Sequence, residues 1–331
     1  MGLSRSSPTR FALVTALLAA PTAATAQHLQ RASPLFELHN GFWNNLHHFL
    51  YVTARARSGL DASRPAVTDA LRDTAGFGAL APGMRASWNS AVAFYQRDLA
   101  RRDILFDSSL VLTSDRIAMI DDATPIRTAA IDRALAVVLE HAAPAYRELW
   151  WPRHSAANAR WIADTRRLLA EYGDSAAALE VRLFRHRWPS PVRVDVAAYT
   201  NWAGAYTTDE PPHINVSSLR SEISGASAFE TLFHEVLHAM DATLFDSLRV
   251  AYERAGKPLM RDPTHPFIFY TAGEVARRFF PGYVPYAMAN GLWARVPDYA
   301  RILPLLREYW QPYVQGHIAL GDALGAIAAH W

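Results

Sequence analysis

Two periodicities are superimposed between residues 226 and 241, which read Ala-Ser-Ala-Phe-Glu-Thr-Leu-Phe-His-Glu-Val-Leu-His-Ala-Met-Asp. Phe229, Leu232, Phe233, Val236, Leu237 and Met240 recur at the i, i+3, i+4 spacing of a helix with a broad apolar stripe. His234, His238 and Asp241 recur at i, i+4, i+7 on a different face. Two imidazoles one helical turn apart can reach a common point without bending the backbone. Glu235, the next residue after His234, is turned about 100° around the axis.

These residue types in this order form a His-Glu-x-x-His motif, and that motif suits a divalent metal. Zinc takes imidazole nitrogen and carboxylate oxygen, and a catalytic site keeps one position open for water. Bound zinc lowers the pKa of that water to about 7. Glu235 is offset from the two imidazoles, which suits a base beside the water better than a third ligand. The residues therefore lead to an expectation of a zinc-dependent metallohydrolase, with His234 and His238 as metal ligands and Glu235 as the catalytic base. The alternative is a helical binding or scaffold protein whose zinc is structural or absent.

The rest of the chain sets the context. Residues 27–188 read as mainly helical, with stripes at Leu38–Leu50, Ala86–Arg101, Ile126–His141, Trp161–Tyr172 and Ala176–Arg185. After Pro189 and Pro191 the texture changes. Val192–Val196 and His213–Ser217 alternate apolar and polar residues, which is strand period, and Gly225 marks the turn into the histidine helix. The fold class expected is mainly α (α+β), with a helical N-terminal region at 27–188 and a catalytic region at 189–331, either as two regions or as one continuous domain. The N-terminal helices are expected to form the other wall of the cleft.

Arg5 and Arg10, an apolar run from Phe11 to Ala20, and Ala24-Thr25-Ala26 read as a secretory signal over residues 1–26, cleaved after Ala26. The apolar run is short for a membrane span. A secreted or periplasmic protein without stable membrane insertion is expected. The absence of cysteine rules out disulfides and a lipobox anchor. Without the leader the chain carries 31 basic and 31 acidic residues, which argues against nucleic acid as the main ligand.

The segment around His234–His238 resembles the gluzincin branch of His-Glu-x-x-His zinc metallopeptidases over roughly residues 190–290. The resemblance implies a peptidase acting on peptide or protein substrates, with a glutamate from a later helix as third ligand. Glu274, 36 positions after His238, is the best match. Metzincins would need a third histidine at a position held here by Leu244. The gluzincin pattern often has an aspartate four residues after the glutamate, where this chain has Arg278. Asp241 could orient a histidine instead, or serve as the third ligand itself. Thr271-Ala-Gly-Glu274 also matches a capping box, which would give Glu274 a purely structural role. The resemblance further implies that residues 201–218 supply a strand edge for an extended peptide. Of Tyr270, Tyr283, Tyr286 and His265 near Glu274, Tyr286 is expected as a second, catalytic donor to the oxyanion. His39, His47 and His48 are expected to be packing or surface residues rather than metal ligands.

Overall fold

A computed structural model of the chain describes residues 34–331, apart from 190 and 210. The expected leader and its cleavage point lie outside the described residues.

The molecule is mainly helical with one small sheet. β1 (Phe36–His39) leads into α1 (Phe42–Arg57), α2 (Pro65–Arg72), α3 (Pro82–Asp98), α4 (Ser108–Ala118), α5 (Arg133–Leu149) and α6 (Trp151–Phe184). The other strands follow together: β2 (Val192–Ala197), β3 (Ala205–Asp209) and β4 (Pro212–Ser217). Then come α7 (Ala226–His238), α8 (Ala242–Arg254), α9 (His265–Phe279), α10 (Tyr286–Ala289), α11 (Leu292–Arg295), α12 (Pro297–Leu305), α13 (Gln311–Val314) and α14 (Leu320–His330). Among the described residues, no helix is long and apolar enough to cross a membrane.

The sheet order is β1-β2-β4-β3. β1 and β4 flank β2 in parallel, and β3 closes the sheet as an antiparallel edge strand, Thr207 opposite Ile214. Val192, Val194, Val196, Ile214 and Val216 present one apolar face, fully buried in a core shared with α6 and α7. The opposite face is polar yet also buried, and α1 and α4 supply partners for most of it, with Asn44 Oδ1 and Asn215 Nδ2 left without one among the described residues. Asn44 donates to Asn215 at 3.0 Å. His213 bridges Asp115 on α4 (2.7 Å) and Asp195 on β2 (2.9 Å). Each buried polar group on this face would be costly without such a partner.

Two hydrophobic clusters result. One gathers α1–α5; the other gathers the sheet's apolar face, α6 and everything from α7 onward. Ala198, Tyr199 and Tyr206, which lie beyond α6, pack with the α1–α5 cluster, so the two cores do not divide at one point along the chain. Two expected helices are also one. α6 runs unbroken through Gly173, where a Cβ would come within 3.3 Å of Leu35. Residues 36–39, read as the start of a helical stripe, pair instead with β2, and the edge of the Phe36 ring meets Phe233 of α7 at 5.6 Å.

Candidate metal centre

α7 begins at Gly225, whose φ of 56° favours glycine. From Ala228 to Leu237 every residue of the helix is buried. On its polar face His234 and Glu235 are buried, while His238 is partly exposed. Phe229 and Phe233, 4.6 Å apart, anchor the apolar face against Tyr172, Phe280 and Trp188. Rigid packing on that side fixes the direction in which His234, Glu235 and His238 project.

A third histidine completes the constellation. His265 is the first residue of α9, with Pro266 following it at a position where the missing N–H costs the helix nothing. His234 Nε2 lies 3.3 Å from Nε2 of His238 and 3.3 Å from Nε2 of His265. One ring nitrogen from each of the three lies within 4.8 Å of the others. Phe269, one turn beyond His265, packs against His234 (4.2 Å between centroids) and stacks on His265 (4.5 Å). Burial holds His234 well below its ordinary pKa and pushes His238 down to about 3, the neighbouring imidazoles adding to both effects. Neutral rings keep a lone pair for a cation.

The two separations from His234 fit that use. Zinc–imidazole bonds of about 2.0–2.1 Å set the ligand nitrogens of a tetrahedron about 3.3 Å apart. Three such nitrogens leave the fourth vertex open. Glu235 faces the edge strand: Thr207 Oγ1 donates to its Oε2 at 2.7 Å and to its carbonyl at 3.0 Å. Burial pushes the Glu235 carboxyl up to about 7, against the opposing pull of the Thr207 bond. A carboxyl near neutrality can both take and return a proton.

The other expected site residues lie elsewhere. Glu274 sits within α9, nine residues and roughly 13 Å of helix rise beyond His265. Its carboxylate accepts from Arg277 (2.9 Å) and Gln311 (3.1 Å). The structure thus groups His265, and not Glu274, with His234 and His238. The capping-box reading also fails, because Thr271 is mid-helix and its hydroxyl accepts from Trp310 Nε1 at 2.9 Å. Gly273 permits the close approach of the Pro285 ring, which lies 2.6 Å from where a Cβ would stand. Tyr286 contacts Arg220 through its hydroxyl (3.4 Å) and Glu230 through its backbone N–H (3.0 Å), rather than the histidines. Asp241 accepts from Thr264 at 2.6 Å, tying the end of α7 to the residue before His265. His47 and His48 are packing residues, bonded to Tyr95, Ser114, the Asn44 carbonyl and Tyr206. The histidine cluster and Glu235 meet Thr207, Asp262, Phe269 and Tyr299.

His265 escaped sequence reasoning as a ligand because it belongs to a different helix, at no fixed spacing from the motif. The available signal was a histidine at a helix start, flanked by Asp262 and Pro266. No known protein family matches the chain, nor does any curated protein or solved structure.

Proposed function

We propose that this chain is a zinc-dependent metallohydrolase, most simply a peptidase, exported with its leader removed after Ala26. The observation carrying this reading is the convergence of three imidazoles, with His234 Nε2 3.3 Å from Nε2 of both His238 and His265, at the helix that also carries the buried Glu235. In it His265 takes the third-ligand position that the family resemblance gave to Glu274, and Tyr286 has no assigned part.

A zinc ion held there would supply Lewis acidity toward a carbonyl and toward water. Glu235 accepts the proton of the attacking water at its carboxylate and delivers it to the departing nitrogen. Thr207 holds that carboxylate in place. Thr207 lies on β3, whose other edge is not paired within the sheet among the described residues. A peptide extended along that edge would gain main-chain hydrogen bonds while its carbonyl lies close to Glu235.

Metal analysis of the purified chain is expected to give about one zinc per molecule. A peptide-library digest should show cleavage that stops on chelation and returns with zinc. The Glu235→Gln variant should keep the metal and lose turnover. A chain without bound zinc, or a Glu235→Gln variant as active as the parent, overturns the reading. Metal retained without any cleavage would favour the binding-protein alternative.

A further inference from the structure

The three histidines are not held alike. His234 and His238 share one rigid helix, so their separation follows from helix geometry. His234 Nδ1 is buried without a hydrogen-bond partner, and Phe269 packs against its ring. His265 stands at the very start of α9, where backbone geometry is least constrained, and it is supported differently. Its Nδ1 lies 3.2 Å from Oδ2 of Asp262, three residues earlier in the loop. That same oxygen accepts a 2.8 Å bond from the hydroxyl of Tyr299 on α12. The Tyr299 ring meets the His265 ring edge-on, 6.2 Å between centroids. The loop is also pinned by the Thr264–Asp241 bond.

We propose that Asp262, backed by Tyr299, is the positioning residue that sets the tautomer and orientation of His265 toward a divalent cation. This rests on the three-histidine reading above. An Nδ1–H donated to the carboxylate leaves the lone pair on Nε2, the atom turned toward His234. The carboxylate also makes the imidazole a stronger donor, and loss of such a partner typically weakens metal binding 10–100-fold. Tyr299 keeps Asp262 from turning into solvent, which matters because the aspartate side chain is half exposed.

The test is a zinc competition titration against a chromophoric chelator, paired with the visible spectrum of the cobalt-substituted protein. Variants are Asp262→Ala, Asp262→Asn, Tyr299→Phe and the exposed control Asp246→Asn on α8. Circular dichroism of the metal-free proteins checks folding. Asp262→Ala is expected to weaken zinc binding roughly 10–100-fold and alter the cobalt spectrum. Asp262→Asn keeps an acceptor oxygen and should recover part of the affinity. Tyr299→Phe should show a smaller loss, and Asp246→Asn none. If Asp262→Ala fails to fold, Asp262→Asn and Tyr299→Phe carry the test. Folded Asp262 and Tyr299 variants with parental zinc affinity and cobalt spectrum overturn this inference alone. A parent chain that binds no zinc overturns both it and the reading on which it rests.

Discussion

Glu180 offers a sharp test of the packing that supports the site. It lies within α6, is fully buried, and neither carboxyl oxygen has a hydrogen-bond partner. Burial therefore pushes its pKa well above 4.5, so the folded protein keeps it protonated over a range where the unfolded chain ionises. The sign follows: above the unfolded pKa the folded state binds more protons, so stability falls as pH rises. The slope is about 1.4 kcal/mol per pH unit until the folded pKa is passed. Even protonated, an unpaired buried polar group costs on the order of 1–3 kcal/mol. Glu180→Met keeps an unbranched, helix-compatible side chain and removes both penalties. Equilibrium urea unfolding of parent and variant at pH 5, 6, 7 and 8 is the assay. The variant is expected to be more stable at every pH, by a margin that widens as pH rises. A margin that stays constant with pH, or a variant less stable than the parent, would refute the reasoning.

Three further outcomes follow from named contacts. Thr207→Val removes only the hydroxyl that holds Glu235; with a bond to a charged acceptor worth about 1.5–3 kcal/mol, kcat should fall roughly ten- to a hundredfold while zinc content is unchanged. Gly273→Ala drives a Cβ into Pro285 and should destabilise the fold by about 1–3 kcal/mol, read as a lower urea midpoint. Glu230→Leu strips the acceptor from Tyr283 (2.6 Å) and the Tyr286 N–H (3.0 Å), and hydrogen exchange at residue 286 should rise.

What the sequence made legible was local. The helix carrying His234, Glu235 and His238 declared itself because its stripe and its motif both obey helical spacing. β2 and β4 were legible from their alternation, and the positive φ at Gly225 agrees with a turn there. β1 was hidden because its four residues become a strand only by pairing in parallel with residues more than 150 positions away. The stripes at 161–172 and 176–185 read as two helices, but Leu35 packs where a side chain at Gly173 would stand and one helix passes through. His265 was hidden for the same kind of reason. A donor from a second helix is fixed by the packing of α9 against α7, which no spacing rule encodes. Glu274 looked suitable on helical position and family resemblance, yet it lies nine residues beyond His265 along α9, where its carboxylate pairs with Arg277 and Gln311.

The central claim is that three histidines, two from α7 and one from α9, hold one divalent ion. Zinc stoichiometry by mass spectrometry on matched preparations of the parent, His265→Ala and Glu274→Ala tests it most directly. The account predicts about one zinc per chain in the parent and in Glu274→Ala, and loss of tightly held zinc in His265→Ala. Zinc retained by His265→Ala and lost from Glu274→Ala would contradict it.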